Sequence, residues 1–338
     1  MSHASDVLRS TRRQFVQGVA TLGLMAGCGR LPWQASPVPK VRRVAYQSAA
    51  PPNAPTEANI AAFREGLHDL GYVEGHNLLI LPSHANGDDQ LAEPVADLVR
   101  LQPEVILAAS ATVARALGAA TTTIPIVSAG AGDLVATGVV ASHARPGGNV
   151  TGVSTPPLAG KQLQLFQEAV PTLSRVLVLF DPTFYPNWER ERETMEEAAR
   201  ILSLRLQFVG ARGVEDLELA LEPAVREHVD GLYMTLGPLI GAHQARIAEL
   251  AIRSRLPSMW QQSEAVARGG LMGYGATRPK LWRRAAYFVD RILQGTKPSD
   301  LPIEEPREFD FIINLKTAQA LGLTIPEHVL AQATELIQ

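Results

Sequence analysis

Residues 104–120 read Glu-Val-Ile-Leu-Ala-Ala-Ser-Ala-Thr-Val-Ala-Arg-Ala-Leu-Gly-Ala-Ala. Glu104–Ala109 reads as a buried strand, because Val105–Ala109 is an apolar run without polar alternation, the mark of a strand covered on both faces. Ser110 stands where a helix N-cap belongs, and Thr112–Ala120 carries helix formers. The stretch is one β-α unit, and the same unit recurs on either side. Toward the N-terminus lie a first strand, Val44–Tyr46, and a helix marked by Phe63, Leu67 and Leu70 and closed by Gly71. A strand over Leu78–Leu81 and a helix on Leu91, Val95 and Leu98 follow, and Ile124–Val127 is the next strand downstream. Repeated β-α units predict a mostly parallel sheet with helices on both faces.

The pattern restarts after Thr151. Helices are expected over Leu158–Val170, Trp188–Leu202, Val214–His228, Ala242–Arg255 and Trp282–Leu293. Strands are expected over Val176–Phe180, Leu204–Val209 and Gly231–Thr235, with a short one ending at Trp260. A final extended piece covers Leu301–Asn314. Gly147-Gly148-Asn149 marks the passage between the two sets. The fold class is α/β, with two Rossmann-like lobes of parallel sheet, and the late segments can cross back to finish both. A chain of 338 residues suits two such domains.

In open parallel sheets ligands sit beyond the carboxyl ends of the strands. The polar and aromatic residues at those ends are therefore the candidate ligand-binding set: Tyr46, Ser48, Ser110, Thr112, Ser128, Asp133, Asp181, Thr235, Trp260 and Tyr274. Ser110 and Thr112 open a helix whose free N–H groups suit an acidic group, and Asp133 suits an ammonium. Trp260 or Tyr274 could stack on an apolar body. Plain N-capping explains Ser110 equally well, a flexible turn explains the Ser128–Asp133 loop, and core packing explains each aromatic.

Other chemistries lack their residues. A net charge of −3 without a basic block gives no sign of nucleic acid. Dinucleotide, triphosphate, zinc-protease and serine-hydrolase motifs do not occur. The histidines at 68, 76, 84, 143, 228, 243 and 328 are scattered. Asp88-Asp89 and Glu304-Glu305 read as solvated pairs, and the charge run Glu189–Glu196 reads as the solvent face of a helix. No catalytic residue, metal or cofactor is expected. The one cysteine, Cys28, excludes an internal disulfide.

Residues 1–28 have the form of an export signal, with Arg9, Arg12 and Arg13 before a short apolar stretch, Phe15–Ala26. Thr11–Val16 resembles a twin-arginine signal, and Met25-Ala26-Gly27-Cys28 resembles a lipobox that would make Cys28 a diacylated first mature residue. Residues 29–40, with three prolines, read as a tether.

Several stretches together carry a family resemblance: Gly66–Asn77, Thr123–Val127, Arg145–Gly152, Gly269–Gly275, Ile313–Ala318 and Ala320–Pro326. From Val41 onward the chain resembles ABC-transporter substrate-binding proteins of the tryptophan/tyrosine-transport type. The resemblance implies a type I periplasmic-binding-protein fold, with three hinge crossings and a ligand cleft between the lobes. It implies lobe 1 over 41–152 plus about 277–298, and lobe 2 over 153–276 plus about 299–338. It also implies a small-molecule ligand captured by hinge closure and passed to a membrane permease with its ATPase. The location would be the periplasm or the outer face of the cell membrane, reached through the anchor at Cys28, and the protein would be a monomer. Where the family usually has Asp-Pro-Val-Gly, this chain has Asp133-Leu134-Val135-Ala136, which keeps the acid and changes the backbone restraint beside it. The alternative readings are an extracytoplasmic ligand-sensing module for a membrane receptor and an exported enzyme on a Rossmann-like fold. No helix-turn-helix precedes the first lobe, which argues against a sugar-repressor relative.

Overall fold

The structure is a computed structural model that describes residues 40–52, 54–130, 132–182, 188–221 and 227–338. The export features Arg12, Arg13 and Cys28 and the tether through residue 39 lie outside the described residues.

The first sheet is built from β1 (Arg42–Ser48), β2 (Leu78–His84), β3 (Val105–Ala108), β4 (Ile126–Ala129) and β5 (Val150–Val153). Their order is β2-β1-β3-β4-β5, and every pair is parallel. Helices α1 (Ala54–Asp69), α2 (Ala92–Arg100) and α3 (Ala111–Ala120) make the crossovers. β3 and β4 are buried at every residue, as the unbroken apolar runs require. Ser110 caps α3 by accepting from Val113 N at 3.2 Å.

The second sheet repeats the same winding. It comprises β6 (Arg175–Phe180), β7 (Arg205–Gly210), β8 (Gly231–Met234), β9 (Ser258–Trp260), β10 (Met272–Gly275), β11 (Asp310–Asn314) and β12 (Glu335–Ile337). The order is β12-β11-β10-β9-β8-β6-β7. β7-β6-β8-β9-β10 is the first sheet's pattern over again; only β11 breaks it, running antiparallel to β10. Its helices are α4 (Ala159–Ala169), α5 (Trp188–Ile201), α6 (Asp216–Leu219), α7 (Pro238–Ala242) and α8 (Gln244–Arg253). Of the helix expected over Val214–His228, the described residues hold the turn α6 (Asp216–Leu219), and residues 222–226 lie outside the described residues. The helix expected over Ala242–Arg255 is α8, Gln244–Arg253, and the separate short helix α7 precedes it and ends at Ala242.

Three crossings join the lobes. The first leaves β5 at Val153, and the second leaves β10 at Gly275 and enters α9 (Arg278–Leu293) on the first lobe. The third lies between Glu304 and Asp310. Leu301–Glu304 stays with the first sheet, where Val153 bridges Glu304 and Thr151 Oγ1 donates to the Leu301 carbonyl at 2.7 Å. The extended piece expected over Leu301–Asn314 is thus split between lobes. Helices α10 (Leu315–Leu321) and α11 (Glu327–Leu330) finish the second lobe.

Each sheet has a core on both faces. α1 and α9 pack together over the first sheet, with Phe63, Leu67, Trp282 and Phe288 enclosed between them. A Cβ at Gly66 would lie 2.8 Å from the Arg283 carbonyl, so glycine permits this helix contact. Each such buried side chain contributes about 1.5–3 kcal/mol. α9 is thereby pinned along its length, and its first turn is held at the junction of the lobes.

Candidate ligand cleft

The carboxyl ends of both sheets face one cleft, which holds two chambers. The first has a volume of about 220 Å³ and lies where the strand order reverses between β1 and β3. That reversal opens a crevice because the crossovers leave in opposite directions. Ser48, Ala49 and Ala50 from the end of β1 and Ala109 and Ser110 from the end of β3 form one wall. Gly237, Gln244, Gln262 and Glu264 of the second lobe form the other, and Arg278 and Trp282 of α9 complete it.

The second chamber, about 270 Å³, is also two-sided. Thr112, Gly132, Asp133 and Thr155 line it from the first lobe and the crossing; Arg190, Glu191, Thr194, Leu236 and Gln261 line it from the second. Ser110, Gln262 and Arg278 belong to both chambers, so the two are arms of one cleft.

Four of the ten candidates chosen from the sequence reach a chamber: Ser48, Ser110, Thr112 and Asp133. Asp133 Oδ1 accepts from Val135 N and Ala136 N, each at 2.9 Å, and so organises its own turn. The other six line neither chamber. Tyr46 bonds His84 at 2.7 Å and rests edge-on against Trp282. Burial pushes its hydroxyl pKa up to about 12. Ser128 is fully buried and accepts from Gly130 N. Asp181 accepts from Leu239 N at 3.3 Å. Thr235 donates to the Leu179 and Leu236 carbonyls. Trp260 is only 1% exposed, and its indole donates to Ser258. Tyr274 stacks on Phe309 of the third crossing and meets Phe311 of its own lobe edge-on. Strand ends point at the cleft, but the last side chain of a strand faces one side or the other of its sheet.

The structure adds residues that the sequence reading assigned to the surface. In the charge run, Arg192 pairs with Glu189 and Glu196, both at 3.4 Å, as a solvent face should. Arg190, Glu191 and Thr194 instead enter the cleft, because α5 follows β6 and its first turns overhang the carboxyl edge. Burial raises the Glu191 pKa, and a hydrogen bond from Gln261 partly offsets the rise. Gln261 Nε2 donates to Tyr233 Oη at 3.0 Å, and its Oε1 accepts from Leu236 N at 2.8 Å. Tyr233 in turn donates to Gln162 Oε1, and Gln162 Nε2 donates to the Tyr274 carbonyl at 2.6 Å. This chain of bonds fixes one wall of the second chamber. The strand-end rule applied to the first turn of α5 would have found Glu191; the helix's high charge hid it.

Arg278 was also missed. Pro279 lies in the first turn of α9, and Arg278 N donates to Glu264 Oε1 at 3.0 Å, which ties the helix start to the opposite lobe. Burial lowers the Arg278 pKa, with the charge of Glu264 opposing that shift.

Two similarly wound lobes, linked by three crossings and meeting at one cleft, define a bilobal solute-binding clamp. Residues 55–337 match the ABC transporter substrate binding protein family, and the chain belongs to it. It is similar to a tyrosine-binding protein of Clostridioides difficile, with 27% identity over 262 residues, 77% of this chain and 75% of that one. Among solved structures it resembles a conserved domain protein from Vibrio cholerae at a TM-score of 0.82 and 26% identity, over 88% of this chain and 100% of that one. An ABC domain from Streptococcus pneumonia, solved in complex with L-Trp, shares the fold at a TM-score of 0.81 and 22% identity, also over 88% and 100%. The protein is therefore a substrate-binding protein of an ABC transporter, a role of binding a small solute for import.

Proposed function

We propose that the solute is an amino acid with an aromatic or other apolar side chain, captured by closure of the two lobes. The observation that carries this reading is the second chamber, where Glu191 from one lobe and Asp133 and Thr112 from the other face the same space. A cationic amine placed there would neutralise the cost of the buried Glu191 carboxylate and bridge both lobes. Contacts made to both lobes at once favour the closed state, because only that state supplies them. The relatives named for tyrosine and solved with tryptophan support this ligand class. The closing motion would act at Ser154–Leu158, Ala276–Thr277 and Glu305–Phe309, the crossings between the sheets.

We further propose that the protein works outside the cytoplasm as a monomer, tethered through a lipid on Cys28, and hands its cargo to a membrane permease with its ATPase. The Arg12-Arg13 pair and the Met25–Cys28 sequence support export and acylation. Replacement of Cys28 by Ala should abolish palmitate incorporation and release the protein from the membrane fraction.

A thermal-shift screen of the purified protein against the proteinogenic amino acids tests the ligand class. A ligand at 100 times its Kd adds about 2.7 kcal/mol, which raises Tm by several degrees. A shift confined to apolar and aromatic amino acids is the expected result. A shift with sugars and none with amino acids would overturn the reading.

A further inference from the structure

Arg278 and Trp282 stand four residues apart in α9, so they share one helix face. Both line the first chamber. The Nε of Arg278 and the indole Nε1 of Trp282 are buried, and neither has a hydrogen-bond partner among the described residues. Trp282 is 2% exposed. Buried donors are almost always satisfied, and each one left unpaired weakens the fold. Two such donors stand one turn apart on a helix face that lines the first chamber, and no described group there satisfies either.

Charge says what kind of acceptor. The first chamber is lined by two cations, Arg268 and Arg278, and one anion, Glu264. The second is lined by Arg190 and Arg278 against Asp133 and Glu191, a balanced set. The first chamber therefore favours an anion and the second tolerates a cation. The remaining wall around Arg278 and Trp282 is largely small and apolar, with Ala49, Ala50, Ala109 and Pro279, so an ion pair formed there is weakly screened.

We infer that the solute carries a carboxylate that seats in the first chamber, accepting from Arg278 Nε and Trp282 Nε1. The inference rests on the solute-binding reading of the cleft and specifies its polar end. A carboxylate has two oxygens, enough to meet both donors, and its charge offsets the buried guanidinium. With the acid at α9 and the amine toward Glu191, the solute spans the junction marked by Ser110 and Gln262.

The test pairs each proteinogenic amino acid with its primary amide, which removes the acid and little else. Binding is screened by thermal shift and quantified by calorimetry on the purified protein. The amino acid that binds best should bind at least tenfold more tightly than its amide. Arg278→Gln should weaken the acid roughly ten- to hundredfold and bring acid and amide close together, with Arg278→Lys recovering part of the loss. Trp282→Phe keeps a ring, loses the donor and should weaken the acid about tenfold while leaving the amide unchanged. Circular dichroism melts establish that each variant is folded. Equal binding of acid and amide, or an acid preference that survives in folded Arg278→Gln, would overturn the inference and leave the binding role standing. If neither amino acids nor amides bind, the amino-acid reading fails, and benzoate, phenylacetate and succinate are compared with their amides. A preference for these acids that depends on Arg278 supports the inference without that reading, and the absence of one overturns both.

Discussion

Tyr233→Phe removes one oxygen atom from the wall of the second chamber. Tyr233 is wholly buried at 0% exposure, so no water replaces the lost hydroxyl. The change strands the acceptor Gln162 Oε1 and removes one of the two partners of Gln261 Nε2, which also bonds Glu191. A buried polar group without its partner costs about 1–3 kcal/mol. Gln162 is 1% exposed and should carry the full penalty, whereas Gln261 lines the chamber and can regain water. The sum is about 2–3 kcal/mol. At ~2.1 cal/mol/K per residue, a body of this length unfolding as one unit changes by about 0.6 kcal/mol per degree, so Tm should fall by ~3–5 °C. Urea titration of the ligand-free protein should show the same loss in midpoint at an unchanged m-value. Ligand affinity should fall as well, because Gln261, then fixed in place by Leu236 N without Tyr233, orients the Glu191 carboxylate less firmly. A Tm within about 1 °C of the parent, with affinity intact, would show that the bond chain does not order this wall.

Four further outcomes follow from single residues. Burial raises the Glu191 pKa, so the folded state holds its proton at a pH where the unfolded chain has lost it. Stability from this group is therefore full below the unfolded pKa and declines as pH rises toward the folded pKa. Glu191→Gln should flatten that slope and raise the melting temperature at neutral pH while weakening binding of an amine-bearing solute, which melts across pH and calorimetry can check together. At Gly152, φ is +121° and a Cβ would sit 2.4 Å from the Ser128 carbonyl oxygen, so Gly152→Ala should cost about 2–4 kcal/mol by denaturant titration. Gly138 also has positive φ but has nothing within 4 Å, so Gly138→Ala should cost only about 1 kcal/mol in the same assay. The Arg284–Glu304 pair, at 2.7 Å, holds the Glu304 carboxyl below its ordinary range, and both side chains are more than 40% exposed. Glu304→Gln should therefore cost under ~1 kcal/mol at neutral pH, a difference that vanishes as pH falls through the Glu304 pKa.

The β-α units were legible because parallel strands and amphipathic helices leave strong local patterns, and Ser110 capping α3 is a local hydrogen bond. Strands with weak patterns were not. β10 reads Met-Gly-Tyr-Gly, and β12 is only three residues long; each is a strand because a neighbour pairs with it. The strand-end rule found Ser48, Ser110, Thr112 and Asp133, since residues just past a strand must emerge at the sheet's edge. It did not distinguish these from Trp260 and Thr235, which sit at similar ends and turn into the core.

By itself the sequence determined the fold class, the two rounds of winding and the edges of the sheets that meet at the cleft, because periodicity and capping act between near neighbours in the chain. Only the tertiary structure decided which charges lie in the cleft. Glu191 shares a helix with solvent-facing charges and differs from them only in what α5 faces, and Arg278 faces Glu264 across the cleft. A side chain's burial and partners depend on segments far away in sequence, and that is where the chemistry of this site is set.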